Sequence, residues 1–101
     1  MTAPLPIKVS PRAQAQIEEA AAWWAQNRPA APGAIRNELA RILSILTTQP
    51  GIGVTERQRR IRGLRRAHLS RIDYYLLYRV AEGALEVLAF WHTSRGSRPK
   101  L

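Results

Sequence analysis

Residues 72–92, IDYYLLYRVAEGALEVLAFWH, contain the clearest strand patterns in the chain. Side chains alternate between two faces from Ile72 to Val80, which is the period of a β-strand. Glu82-Gly83 then supplies a two-residue hairpin turn, and a second alternating run follows. Both runs carry apolar residues on both faces, so we predict two central antiparallel strands. The alternation assigns Leu85, Val87, Ala89 and Trp91 to one face of the second strand, and Glu86, Leu88, Phe90 and His92 to the other.

Two amphipathic helices precede these strands. Ser10 is a residue type that caps helix N-termini, and the following Pro11 is a type that fits the first helical turn. Arg28-Pro29 ends this helical pattern. A second apolar stripe covers residues 35–46 and stops before Pro50. Because the link between the helices is short, we predict an antiparallel helical hairpin. The outer face of the second helix is assigned to Arg36, Glu38 and Arg41.

Two further strands complete the predicted sheet. Residues 5–9 indicate a first strand. An imperfect alternation from about Ile61 to Leu69 indicates another, and the break in its alternation predicts a bulge. The element order is therefore β-α-α-β-β-β. This order predicts a single α+β domain over residues 1–101, with the helical hairpin on one face of a small, mostly antiparallel sheet. Residues 93–101, rich in Ser, Gly, Arg and Pro, are predicted to form a flexible tail.

The composition excludes several classes of function. A chain of 101 residues is too short for a two-domain enzyme with a closed cleft. There are no cysteines and only two histidines, so thiol catalysis is excluded and we expect no metal and no cofactor. No apolar run approaches the roughly 18 residues of a membrane span, and no signal-peptide pattern is seen. We therefore expect a cytoplasmic protein with no membrane partner.

The charge is large, positive and uneven. The net charge is +9, of which residues 1–55 contribute +2 and residues 56–101 contribute +7. Fourteen of the sixteen basic residues are arginines, whose rigid five-donor fork suits phosphates and carboxylates. By charge alone, this pattern predicts an anionic partner: nucleic acid, an acidic protein segment or a membrane surface.

Six short motifs, in this order and spacing, resemble the toxins of the RelE/ParE superfamily of bacterial type II toxin–antitoxin systems. The chain is more similar to the ParE branch than to the RelE branch, and the resemblance covers nearly all of it. The motifs are VSPRA at 9–13, NRPAA at 27–31, PGIG at 50–53, IRGLRR at 61–66, YLLYRV at 75–80 and VLAFWH at 87–92.

The resemblance implies a small toxin that a cognate ParD-like antitoxin neutralises in a hetero-oligomer. ParE-branch toxins act on DNA gyrase, and their antitoxins drape an acidic, amphipathic tail across the toxin. The basic C-terminal half and the apolar helix surfaces suit such a tail. No catalytic residue is expected under this interpretation. The predicted antitoxin contacts are Trp23, Arg62, Arg65, Arg71 and Arg79.

Two alternatives remain open. RelE-branch toxins cleave mRNA, usually on the ribosome, and a nuclease of that kind needs a proton-transfer group and cations that hold the phosphate. In the second alternative, the chain is a nucleic-acid-binding module. Its basic sheet would contact backbone phosphates, and its tyrosines would stack on bases. The period-two spacing of Tyr74 and Tyr78 favours packing in the core instead. The candidate nuclease residues are His92, Arg65, Arg79 and Arg95.

Overall fold

The computed structural model describes residues 3–58 and 60–96. It contains two α-helices, a five-stranded sheet and a single 3₁₀ turn at Pro50–Ile52. The helices are α1 (Pro11–Asn27) and α2 (Ala34–Leu46). The strands are β1 (Ile7–Val9), β2 (Val54–Thr55), β3 (Arg65–Leu69), β4 (Tyr74–Ala81) and β5 (Ala84–His92).

The sheet has the order β1-β5-β4-β3-β2, with β1 parallel to β5 and every other pair antiparallel. The predicted α+β class with a mostly antiparallel sheet is confirmed. The strand count was wrong, because the two-residue β2 is too short to show a period. The predicted strand from Ile61 also begins too early. Residues 61–64 turn instead, and Gly63 there takes a φ of +72°, which glycine adopts without steric cost.

Local sequence signals place the ends of α1 where they were predicted. The hydroxyl oxygen of Ser10 accepts a hydrogen bond from the Ala13 backbone N–H at 3.1 Å, as an N-cap does. The helix ends at Asn27, immediately before Arg28-Pro29. Both helices pack on one face of the sheet, which we call the helix-covered face. Their buried apolar residues there are Ala13, Ile17, Ala20, Ile35, Leu39, Ile42 and Leu46.

The hairpin between β4 and β5 is the predicted tight turn. Glu82 and Gly83 have φ values of 52° and 73°. Positive φ at both central residues defines the type I′ turn, whose twist matches that of the flanking strands. The turn therefore fixes the register at this end, where Ala81 pairs with Ala84.

A bulge at Leu88 corrects the predicted faces of β5. Tyr78 pairs with Val87 and Leu77 pairs with Ala89, so Leu88 is an extra residue with no partner on β4. One inserted residue reverses the alternation beyond it. Phe90 therefore joins Val87 on the helix-covered face. The assignment of Ala89 and Trp91 to the same face as Val87 was wrong, and the expected bulge lies in β5 rather than β3.

Among residues 3–58 and 60–96, no helix packs on the opposite face of the sheet, and we call it the open face. Ile61 and Leu64, which precede β3, pack over part of it, and a small apolar cluster is buried there. The first part of the predicted tail, residues 93–96, forms a turn in which the Thr93 N–H donates to the Asp73 carbonyl at 2.9 Å. Residues 97–101 of that tail lie outside the described residues. The apolar cluster buried on the open face comprises Leu64, Leu77, Ala89 and Trp91.

Candidate functional site

A groove of about 580 Å³ separates α1 from the ends of β4 and β5. We call it the α1–β5 groove. It lies at the end of the sheet where Tyr74 pairs with His92, opposite the Glu82-Gly83 turn. One carboxylate, that of Glu19, lines it, and the other side chains that give the groove its chemistry are aromatic or cationic: Trp23, Arg28, Tyr74, Phe90, His92 and Arg95.

Trp23 forms one wall of this groove and is 47% exposed. Its ring lies edge-on to that of Trp24, with the ring centres 6.2 Å apart. The Arg28 guanidinium carbon lies 5.6 Å from the Trp23 ring centre and 5.8 Å from that of Trp24. Cation–π contact holds the arginine beside the tryptophans, so an exposed aromatic surface and a positive charge are presented together.

Tyr74 and Phe90 form the aromatic floor. Their rings are stacked with centres 4.6 Å apart and planes inclined by 12°. Burial raises the pKa of the Tyr74 hydroxyl above its usual 10.0, and the negative charge of Glu19 raises it further. The phenol is therefore neutral at physiological pH and acts as part of an apolar floor rather than as an anion.

His92 stands at the rim with its ring edge-on to Tyr74, at a centre-to-centre distance of 5.1 Å. The Ser94 backbone N–H donates to His92 Nδ1 at 3.1 Å, and the Ser94 hydroxyl lies 2.7 Å from the same nitrogen. Since Nδ1 accepts, a neutral ring carries its proton on Nε2. A serine of the following turn thus orients the histidine.

The structure does not bring the four candidate nuclease residues together. His92 and Arg95 line the α1–β5 groove. Arg65 pairs with Tyr78, four residues along β4 from Tyr74, which corresponds to about 13 Å of strand. Its guanidinium donates to the Gly53 carbonyl at 2.8 Å. Arg79 lies on the open face, where its Nε donates to a Glu86 carboxylate oxygen at 2.9 Å.

The residues predicted to contact an antitoxin also divide between surfaces. Trp23 lines the groove, and Arg71 lies in the β3–β4 turn at the same end of the sheet. Arg62 is exposed in the turn that precedes β3. Arg65 and Arg79 have the contacts just described. The predicted set is therefore not one continuous surface, and only Trp23 and Arg71 share an end of the molecule.

Two residues near this end were missed in the sequence. In the sequence Arg28 is visible only as part of a helix-ending signal, whereas in the structure its charge lies against the two tryptophans. Glu38, predicted to face outward, is only 7% exposed. Arg41 donates to both of its carboxylate oxygens at 3.1 and 3.3 Å, and Arg71 lies 3.6 Å away. The period of α2 places Glu38 beside its apolar stripe, and the turn that brings Arg71 to it is a tertiary feature.

No group of three or more histidine, cysteine or carboxylate side chains within residues 3–58 and 60–96 is arranged to hold a metal ion. In the same residues, no helix combines the length and the apolar character needed to cross a membrane.

Comparison with known proteins agrees with this architecture. The chromosomal ParDE toxin–antitoxin system from P. aeruginosa is 15% identical, with a TM-score of 0.71 over 89% of this chain and 97% of that chain. The E. coli DinJ-YafQ toxin–antitoxin complex is 18% identical, with a TM-score of 0.59 over 89% of this chain and 93% of that chain. At these identities the likeness is one of fold. No curated protein sequence matches the chain.

The family assignment comes from the sequence. Residues 7–96 match the family model described as the ParE toxin of the type II toxin–antitoxin system parDE. The match begins at β1 and extends past β5 to the turn at residues 93–96, so it includes every helix and strand of the fold. This chain belongs to the ParE toxin family of type II toxin–antitoxin systems.

Proposed function

We propose that this protein inhibits DNA gyrase and that a ParD-like antitoxin neutralises it in the cytoplasm. The observation that carries the proposal is the match to the ParE toxin family across residues 7–96. Gyrase inhibition is the activity that membership of this branch implies, and a toxin of this kind acts by binding its target rather than by its own bond chemistry.

The arrangement of the basic residues supports a binding protein over a nuclease. Cleavage at a 2′-hydroxyl needs a proton-transfer group and phosphate-holding cations around one phosphate. Only His92 and Arg95 share a groove, while Arg79 lies on the other face of the sheet. The remaining candidate, Arg65, is held by a backbone carbonyl.

The α1–β5 groove is the surface that we propose for the antitoxin. An acidic, amphipathic segment would lay apolar side chains against Trp23 and Phe90. Its carboxylates would lie near Arg28, Arg71 and Arg95. Exposed tryptophan and arginine are the residue types that most often dominate the energy of protein interfaces.

The first experiment separates the two activities. Purified protein is added to a gyrase supercoiling reaction on plasmid DNA and, in parallel, to ribosomes loaded with mRNA. We expect loss of supercoiling with intact mRNA. The His92→Ala variant should inhibit gyrase as strongly as the wild-type protein, because His92 has no proton-transfer role in this proposal. Cleaved mRNA, together with loss of cleavage in a folded His92→Ala protein, would establish the RelE-like nuclease instead.

A second experiment tests the antitoxin surface by calorimetry with the cognate antitoxin. Trp23→Ala should weaken binding by about tenfold or more, since it removes the exposed anchor. Arg28→Glu should weaken binding strongly, whereas Arg36→Glu is the matched control, because Arg36 lies on the exposed face of α2. Equal effects of the two charge reversals would show that the antitoxin responds to total charge and does not use the groove.

A further inference from the structure

Three aromatic side chains stand side by side on the open face, across three neighbouring strands. The register places His68 of β3 beside Tyr75 of β4, and Tyr75 beside Trp91 of β5. The ring centres are 5.2 and 5.4 Å apart, and the planes are inclined by 47° and 48°. Trp91 is buried, Tyr75 is half-buried and His68 is exposed, so the row ends in solvent.

Cations surround this row. The Arg66 guanidinium carbon lies 4.4 Å from the centre of the Tyr75 ring, and Glu56 holds the same guanidinium at 3.3 Å. A depression of about 410 Å³ opens beside them, where Arg57 and Arg95 complete the wall. Three guanidinium groups and two aromatic rings therefore face one depression that also contains the Glu56 carboxylate.

This combination recognises a ligand that is both planar and negatively charged. Guanidinium forks bind phosphate oxygens, and aromatic or guanidinium planes stack on bases. An acidic protein segment would contact the cations of this depression, but it has no need of the row of aromatic rings. Bases paired in a duplex are not free to stack on a protein surface, so the row favours a single strand.

We propose that the open face binds single-stranded nucleic acid, with backbone phosphates at Arg57 and Arg95 and a base stacked on the Tyr75–Arg66 pair. This activity goes beyond gyrase inhibition and does not depend on it. The ligand's site lies on the face of the sheet opposite the helices, whereas the α1–β5 groove lies beside α1. Arg95 borders both.

The test is a fluorescence-anisotropy titration with a labelled oligothymidylate of about twelve nucleotides, a length suited to a small single-strand binding module. Tyr75→Leu keeps the net charge and should weaken binding about fivefold or more, because it removes the stacking ring. Arg57→Gln should weaken binding and reduce the slope of log affinity against log salt by about 0.7, the value for one lost phosphate contact on a single strand.

Arg36→Gln is the matched control, since it removes the same charge from the exposed face of α2. It should change the affinity less than twofold. His68→Leu tests the exposed end of the same row and should weaken binding in the same direction as Tyr75→Leu. Circular dichroism melting verifies the fold of each variant, and if Tyr75→Leu does not fold, His68→Leu decides the role of the row.

Two results would overturn the proposal. If Arg57→Gln and Arg36→Gln lose affinity equally while the aromatic variants bind like the unchanged protein, the binding is only attraction to a chain of net charge +9. If polyglutamate binds as tightly as the oligonucleotide and Arg57→Gln weakens it equally, the depression belongs to an acidic protein segment. Both readouts are independent of the gyrase assay.

Discussion

Tyr78 and Tyr74 lie four residues apart on β4, both buried and both on the helix-covered face, yet they serve different regions. The Tyr78 hydroxyl donates to the Pro50 carbonyl at 2.7 Å and accepts from the Gly53 N–H at 3.0 Å. Tyr74 stacks on Phe90 and lines the α1–β5 groove. The same residue type on one strand face therefore closes the fold at one end and forms the floor of a candidate binding site at the other.

The Tyr78 region is closed because the chain after α2 returns to it. Arg65 donates to the Gly53 carbonyl, so both polar groups of the Gly53 backbone are bonded to side chains of the sheet. A Cβ on Gly53 would collide with the Tyr78 side chain and would lie 3.0 Å from the Arg66 carbonyl oxygen. The Tyr74 region is open because no segment among the described residues returns across the groove in this way.

The largest effect is expected for Gly53→Ala. The added methyl group must displace the buried Tyr78 hydroxyl, so we expect a loss of about 2 kcal/mol or more in the free energy of unfolding. Gly51→Ala is the control, because nothing lies within 4 Å of its Cβ position, and it should change stability by no more than about 0.5 kcal/mol. Urea unfolding of the two variants measures the difference. Equal stabilities of the two variants would show that the close approach of Gly53 to Tyr78 does not contribute to the free energy of unfolding.

The next effect is expected for Tyr78→Phe. It leaves the buried Gly53 N–H without its acceptor, which costs about 1–3 kcal/mol. Tyr74→Phe removes a hydroxyl beside the open groove, where water can replace lost contacts, and should cost less than about 0.5 kcal/mol. Urea unfolding at neutral pH compares the pair. If Tyr74→Phe lost as much free energy of unfolding as Tyr78→Phe, the contrast between the Tyr74 and Tyr78 regions would be contradicted.

A smaller effect is expected at alkaline pH. Burial raises the pKa of both Tyr74 and Tyr78 above 10.0 in the fold, although the Gly53 hydrogen bond and the charge of Arg65 lower that of Tyr78 in part. The folded protein therefore keeps both phenolic protons at a pH where the unfolded chain loses them. The associated stability is fully present below about pH 10 and is lost as the pH rises through the folded-state pKa values.

Urea midpoints measured from about pH 8 to about pH 11 test this linkage. We expect the midpoint to fall above pH 10, and the fall to be shallower in Tyr78→Phe than in the unchanged protein. An identical slope in both proteins would show that the Tyr78 hydroxyl does not contribute to it.

The smallest effect on stability is expected for Trp23→Ala. Its ring is 47% exposed and its loss leaves no buried polar group, so the free energy of unfolding should change by no more than about 0.5 kcal/mol. The same variant is expected to weaken antitoxin binding about tenfold, as proposed above. A large loss of stability would instead make Trp23 part of the fold and remove it from the binding surface.

Local signals predicted much of this fold because their causes are local. The Ser10 cap, the end of α1 before Arg28-Pro29 and the turn at Glu82-Gly83 each depend on a few adjacent residues. The type and order of the long elements follow from hydrophobic periodicity, so the α+β class was accessible. The alternation in β4 also gave the buried positions of both tyrosines.

The Leu88 bulge could not be predicted, because a bulge is a property of two paired strands and leaves the alternation of one strand looking regular. Its consequence is large, since it moves Phe90 to the helix-covered face and Trp91 to the open face. The floor of the groove and the aromatic row on the open face both depend on that reversal. Neither could be located before the register of β4 and β5 was known.

An arginine-rich, strongly basic chain with two amphipathic helices, a long hairpin and the motifs of its family can be recognised without coordinates. Which of its charges are free to bind a partner depends on the folded arrangement. The Arg65 guanidinium is hydrogen-bonded to the Gly53 carbonyl, and the Arg79 guanidinium is hydrogen-bonded to Glu86. Ion pairs, side-chain hydrogen bonds and stacked rings form between elements distant in sequence, so strand register and packing set their partners and local patterns do not.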